Sequence, residues 1–67
     1  MSISEREIWA CAAEVMRRHG EAAASHAAGR AEELLEKSDR AGNRTWLRIL
    51  RRIEDLENRV PPSEALN

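Results

Sequence analysis

The chain contains no phenylalanine, no tyrosine and a single cysteine, Cys11, among its 67 residues. One cysteine excludes a disulfide within the chain, and two tryptophans are the only large aromatic side chains. Much of the remaining apolar content is alanine, which buries little area per residue. A small domain without a disulfide or a metal motif commonly gains stability by association. The composition therefore favours one small domain that forms a homodimer.

Neither sign of charge dominates, and no apolar run is long. Eleven basic and twelve acidic side chains give a formal net charge of −1 at pH 7. Proteins that bind nucleic acid or membrane surfaces usually carry a basic excess, and a membrane-spanning helix needs about 20 predominantly apolar residues. The first residues also lack the basic and apolar regions of a signal peptide. We expect a soluble cytoplasmic protein with no membrane partner.

Capping signals and periodicity predict an all-α fold. Ser4 and Glu7 have the spacing of a capping box at a helix N-terminus, and Gly20 is a residue type that often ends a helix. Pro61 and Pro62 prevent the last helix from continuing. The predicted fold is a compact antiparallel three-helix domain over residues 1–60, with helices over 4–19, 21–37 and 40–59, and a flexible tail over 61–67.

The second helix is predicted to sort cleanly into two faces. Seven apolar positions, five of them alanine, recur at helical spacing and are predicted to be buried: Ala23, Ala24, Ala27, Ala28, Ala31, Leu34 and Leu35. The opposite side carries three glutamates, Glu32, Glu33 and Glu36. We expect these to form ordinary surface pairs such as Glu33 with Lys37, four residues on.

The third helix has the strongest apolar pattern of the chain. Five side chains recur at 3-4-3-4 spacing and form one stripe: Trp46, Ile49, Ile53, Leu56 and Val60. Leu47 and Leu50 widen this stripe on one side. If the three helices start level, helix 1 is too short to cover the stripe from Ile53 onward, and uncovered apolar patches usually mark partner interfaces. We expect helix 3 of a second copy to cover this half through a two-fold contact.

An arginine row accompanies this stripe. Arg44, Arg48 and Arg52 lie four residues apart, with Arg51 beside them. Arginine forms bidentate contacts to carboxylates and phosphates. Three interpretations stay open. The row is a solvated face, with Arg51 paired to Asp55 and acids of helix 2 nearby, or it docks an acidic protein, or it is the recognition helix of a helix-turn-helix protein.

The nucleic-acid interpretation is the weaker binding hypothesis. Recognition helices carry polar side chains that read bases near their N-terminal end, and here Asn43 and Thr45 alone qualify. The near-neutral net charge also argues against nucleic-acid binding.

Residues that carry chemistry are sparse. Cys11 and His19 lie eight residues apart on helix 1, whereas a zinc site needs three or four well-placed ligands. Cys11 also lacks a base within reach, since His26 falls on the polar face of helix 2. The glycines are isolated and match no phosphate-binding fingerprint. We expect no catalytic residue, no metal, no cofactor and no small-molecule substrate, and therefore no enzyme.

Three segments together resemble a family of small bacterial helical proteins of unknown function: Glu7–Ala12, Arg30–Leu35 and Thr45–Ile53. The resemblance covers nearly the whole predicted helical part, and it implies a recurrent helical module without assigning any site. In size and class, the chain is also similar to inhibitors carried by phages and mobile elements, anti-CRISPR proteins included.

The sequence thus predicts a protein–protein interaction module, a homodimer that acts as a regulator or inhibitor through helix 3. Its partner is a second copy, another protein, or both. The alternatives are an inhibitor from a phage or mobile element, such as an anti-CRISPR protein, and a small nucleic-acid-binding regulator that uses the arginine row. The predicted interface consists of Trp46, Ile49, Leu50, Ile53, Leu56, Arg44, Arg48, Arg51 and Arg52.

Overall fold

The computed structural model describes residues 3–59. Its elements are α1 (Glu5–His19), a 3₁₀ turn (Gly20–Ala22), α2 (Ala23–Glu36) and α3 (Arg40–Arg59). The predicted all-α fold of three packed helices is confirmed, and the observed boundaries lie within two residues of the predicted ones. Val60 and the predicted flexible tail over 61–67 lie outside the described residues.

The first helix begins with the predicted capping box. The Glu7 backbone N–H donates to Ser4 Oγ at 3.2 Å, and the Ser4 backbone N–H donates to Glu7 Oε1 at 3.0 Å. The second of these bonds is the main reason why the pKa of the Glu7 carboxyl is lowered. The helix ends at Gly20, whose φ of 53° lies in the left-handed region that glycine adopts at little cost.

A short connection reverses the chain between α2 and α3. Ser38 has a φ of 63°, and the Asp39 carboxylate accepts the Gly42 backbone N–H at 2.9 Å. A Cβ atom on Gly42 would lie 2.6 Å from Asp39 Oδ2, so the glycine makes room for this cap. The Asp39 side chain thus caps α3 at its start.

The hydrophobic core contains little side-chain bulk. Ile8 and Ile53 are the largest fully buried side chains of the described residues. Four of the eight buried residues that the structure describes are alanine, which leaves a small apolar volume to stabilise the fold. The buried residues are Ile8, Ala12, Val15, Ala23, Ala27, Ala31, Ile49 and Ile53.

The predicted apolar stripe of α2 is wider than the part that is buried. Ala23, Ala27 and Ala31 are buried, but Ala28 is exposed and Leu35 is 54% exposed. Residues four apart on a helix form one row, so a single row faces the core here. The prediction that all seven apolar positions are buried is therefore wrong, because the neighbouring helices cover a narrower arc.

Contacts along the helices define how they pack. Asn43 Nδ2 donates to the Ala31 carbonyl at 2.7 Å, and the ring of Trp46 meets that of His26 at 5.8 Å. The contacting residue numbers increase along α3 while they decrease along α2, so these two helices are antiparallel. None of the helices in residues 3–59 combines the length and the apolarity of a membrane span.

The position of α1 along α3 differs from the predicted one. Its first turn lies beside the middle of α3, where Arg48 Nη2 contacts Glu5 Oε2 at 2.8 Å. The helices therefore do not start level, and Ile8 packs in the same cluster as Ile53. Ile53 is fully buried, and Leu56 is half-buried against this cluster. The prediction that α1 is too short to cover this half of α3 is wrong.

Candidate interaction surface

The arginine row divides into two parts with different roles. Arg48 faces α1: its Nη1 donates to the Ile3 carbonyl at 3.2 Å, and its Nη2 donates to Glu5 Oε2 at 2.8 Å. Both partners precede or begin α1. Arg48 therefore fastens the start of α1 to α3, which is a structural role within one chain.

Arg52 also faces α1. Its guanidinium lies over the ring of Trp9 at 4.9 Å, and its Nε lies 3.9 Å from Glu5 Oε1. Its Nη2 contacts Asp55 Oδ2 at 3.3 Å. The predicted pair of Asp55 with Arg51 is therefore wrong, because Asp55 lies on the side of α3 that Arg52 occupies. The acids that pair with Arg48 and Arg52 are Glu5 of α1 and Asp55 of α3, and not acids of helix 2.

Arg44 and Arg51 differ from their neighbours. Both are exposed, and neither forms an ion pair or a side-chain hydrogen bond with any residue between 3 and 59. Arg44 precedes Leu47 by three residues and Arg51 follows it by four, so both are its neighbours on the helix surface. Of the four predicted arginines, these two are accessible for an external contact.

The predicted apolar anchors separate in the same way. Ile49 and Ile53 are 3% and 0% exposed, so a partner cannot reach them without unfolding the domain. Trp46, Leu50 and Leu56 are half-buried and pack on the core. Leu47, by contrast, is 47% exposed. The sequence indicated this residue as a widening of the apolar stripe, but the predicted interface omitted it.

Aromatic rings meet on another side of the domain. The rings of His19 and His26 stack at 3.9 Å, and His26 meets the Trp46 ring edge-on. The Arg30 guanidinium also lies over Trp46, at 5.7 Å. No sequence pattern linked the two histidines, and the tight turn after α1 brings them together. Trp9 lies under Arg52, so the two tryptophans pack against different partners.

Five apolar side chains that are exposed or half-buried share one side of the α2–α3 pair. Leu47 is five residues before Arg52, which places it about 140° around α3 from the side that holds α1. On α2, Leu35 follows His26 by nine residues, about 180° around the helix, and His26 stacks on the last residue of α1. We call this side the outer face; it consists of Ala24, Ala28, Leu35, Leu47 and Leu50.

Charge of opposite sign borders the outer face. On the α3 side lie Arg44 and Arg51, with Glu54 three residues after Arg51, and on the α2 side lie Glu32 and, in the turn before α2, Glu21; all five are exposed. Neither Glu21 nor Glu32 has an ion-pair partner in the part of the chain that the structure describes. Glu33, their neighbour, is paired with Arg30 and not with Lys37 as predicted. The outer face is thus apolar, with an acidic edge along α2 and an edge along α3 that is basic except at Glu54.

The described residues offer little for metal or acid–base chemistry. Between residues 3 and 59, no group of three or more His, Cys, Asp or Glu side chains is placed to hold a metal ion. The strongest pKa shift belongs to the Glu14 carboxyl, whose pKa is lowered to about 2. The main cause is the hydrogen bond that Arg17 donates to it, and the next is the hydrogen bond from Arg18. This ion-paired group is exposed on α1. It stabilises the helix surface.

Comparison with known proteins places the chain without assigning it an activity. Residues 4–61 match the model of one protein family, which is described as a family of unknown function. No curated protein matches the chain, and no solved structure does.

Proposed function

The chain belongs to the family of unknown function DUF6961, and from the properties of its surface we propose that it is a non-enzymatic module that binds protein through the outer face. The face offers leucine and alanine at its centre and arginine and glutamate at its edges. This is the composition of a small protein interface, in which an apolar centre is surrounded by a charged rim.

One observation carries the proposal. Leu47 is one of two large hydrophobic side chains of the described residues that stay about half exposed, although α3 buries Ile49 and Ile53 almost completely. The residues beside it, Arg44 and Arg51, have no partner within the described chain. An exposed apolar centre next to unpaired arginines is the combination that contact hot spots favour.

The structure weakens the case for nucleic acid. Two of the four arginines of the row, Arg48 and Arg52, are engaged with α1. Two accessible arginines beside a glutamate-bearing helix give a small electrostatic attraction for phosphates, and the formal net charge is −1. Protein is therefore the partner that we propose.

We further propose that the module works in the cytoplasm as a regulator or inhibitor. A domain of this size acts most simply by covering a surface of its target. The unpaired thiol of Cys11, half-buried on α1, fits a reducing compartment. The inhibitors of phages and mobile elements remain an analogy of size and class.

The proposal is tested by comparing Leu47→Asp with Ala13→Asp, a change at an exposed position of α1. Each tagged variant is expressed in the native cell, and the retained proteins are quantified by mass spectrometry. We expect partners that are held by the wild type and by Ala13→Asp to be lost from Leu47→Asp. Circular dichroism should show that both variants keep their helix content.

A second measurement addresses phosphate binding directly. Light scattering gives the mass of the protein with a short random-sequence DNA duplex at low and high salt. We expect no complex at either salt. A complex at low salt that releases at high salt and is lost from Arg44→Glu/Arg51→Glu, but not from Leu47→Asp, would overturn the proposal in favour of nucleic acid.

A further inference from the structure

We propose that a second copy of this chain occupies the outer face, in a two-fold dimer in which α3 of each copy lies on α2 of the other. The inference rests on the proposed function, since it uses the same face. It names the occupant, the pairing of the helices and the residues that meet.

The shape of the outer face is complementary to itself. Leu47 projects from α3 and is 47% exposed, whereas the α2 side of the face has alanine at Ala24 and Ala28. Small side chains at a contact allow helix axes to approach closely. The large side chain on one helix and the small ones on the other are what an isologous contact needs, because each copy supplies both halves.

The charges select one of two possible two-fold arrangements. The edge along α3 carries Arg44 and Arg51 and one acid, Glu54, whereas the edge along α2 carries Glu32 and, in the turn before it, Glu21. A two-fold axis parallel to the helices places α3 over the α2 of the other copy, and the opposite charges meet. An axis across the helices would place α3 on α3 and bring like charges together, which is unfavourable.

The register follows from contacts within one copy. Asn43 lies level with Ala31, and Trp46 lies level with His26. Rotation about an axis parallel to the helices does not change the position of any residue along that axis. Leu47 of one copy therefore lies level with residues 25–27 of the second copy, between its half-buried Ala24 and its exposed Ala28. By the same levels, Arg44 lies within about one helical turn of the second copy's Glu32, and Arg51 lies level with its Glu21.

The energetics of the single chain favour such a partner. Half of the buried residues that the structure describes are alanine, so covering Leu47 would add apolar burial that the core lacks. A face of about 20 Å by 25 Å corresponds to about 500 Å² per copy. That is the low end of specific interfaces, and we expect a dissociation constant in the micromolar range.

The test exchanges the charges of the two edges. One variant, Arg44→Glu/Arg51→Glu, makes both edges acidic, and the other, Glu21→Arg/Glu32→Arg, makes both edges basic. Each variant alone should dimerise at least about tenfold more weakly than the wild type, because like charges then meet at every pair. The equimolar mixture should form a heterodimer at least as tightly as the wild-type homodimer. Sedimentation equilibrium and native mass spectrometry measure both.

A size substitution provides an independent check of the α2 side. Ala28→Arg should prevent dimerisation, because the long side chain occupies the place of the opposing Leu47. Ala13→Arg, at an exposed position of α1, should leave the dimer unchanged. Circular dichroism of both variants separates loss of the dimer from loss of the fold.

The outcomes separate this inference from the proposed function. A wild-type protein that is monomeric at high micromolar concentration would overturn the second copy and leave the outer face to a different protein. A dimer that Leu47→Asp abolishes, but whose charge variants do not form a heterodimer, would overturn the helix pairing. The proposed function itself fails in the duplex experiment above, which does not depend on dimerisation.

Discussion

The guanidinium of Arg52 lies 4.9 Å from the centre of the Trp9 ring and joins α3 to the first half of α1. The same side chain approaches Glu5 on one side and Asp55 on the other, and it is 25% exposed. A residue that the sequence offered as a free binding group is thereby part of the packing between two helices. Its role in the fold can be measured directly.

Replacing Arg52 with alanine should destabilise the protein. The change removes the cation–π contact with Trp9 and the apolar stem that packs beside it, and we expect a loss of about 1–2 kcal/mol in the free energy of unfolding. Urea denaturation followed by circular dichroism gives this value. Arg40→Ala, at an exposed position of the same helix, should change it by less than about 0.5 kcal/mol. Equal effects of the two variants would contradict the role of Arg52.

Truncating Ile53 should distinguish the core from the outer face. Ile53 is fully buried, and replacing a buried isoleucine with alanine typically costs about 2–5 kcal/mol. Leu47→Ala should change the stability of the monomer by less than about 0.5 kcal/mol. Thermal unfolding at sub-micromolar protein, where a micromolar dimer dissociates, compares the two. Similar losses would mean that Leu47 is also a core residue.

The boundaries of the helices could be predicted from sequence because their signals are local. Ser4 and Glu7 are three residues apart, and Gly20 ends α1 by its own backbone preference. Such contacts form within one turn and do not depend on where the other helices lie. The apolar spacing of α3 likewise identified Ile49 and Ile53 as one stripe, and both are buried.

The assignment of the site could not be predicted because it depends on the offset between helices. Arg48 meets Glu5, which is 43 residues away in the chain, and no local pattern fixes that distance. Because α1 lies beside the middle of α3, Arg48 pairs with Glu5 and Leu47 remains exposed to solvent. The stack of His19 on His26 has the same origin, since the turn between their helices decides it.

Replacing Ser38 with glycine should stabilise the protein. Ser38 has a φ of 63°, a conformation that costs a residue with a side chain roughly 1 kcal/mol and that glycine adopts freely. We expect Ser38→Gly to raise the free energy of unfolding by about 0.5–1 kcal/mol. The control is Ser25→Gly, within α2 and exposed, which should lower it by a similar amount because glycine is a poor helix former. Differential scanning calorimetry measures both, and a loss in Ser38→Gly would contradict the argument.

The ion pairs of Glu14 should make stability depend on pH in the acid range. Hydrogen bonds from Arg17 and Arg18 lower the pKa of Glu14 from 4.5 to about 2 in the folded protein. A carboxyl with a lowered folded-state pKa contributes stability that is fully present above its unfolded pKa and is lost as the pH falls towards the folded one. The contribution of Glu14 should therefore be constant above pH 4.5 and disappear between pH 4.5 and about 2.

Glu14→Gln tests this dependence, because it removes the charge and keeps the size of the side chain. The melting temperature of the variant should lie below that of the wild type at pH 7, and most of the difference should be lost by about pH 2. Glu57→Gln, at an exposed glutamate of α3 without an ion pair in the described residues, controls for the change in net charge. A difference between wild type and Glu14→Gln that persists unchanged at pH 2 would show that charge pairing with Arg17 and Arg18 is not its cause.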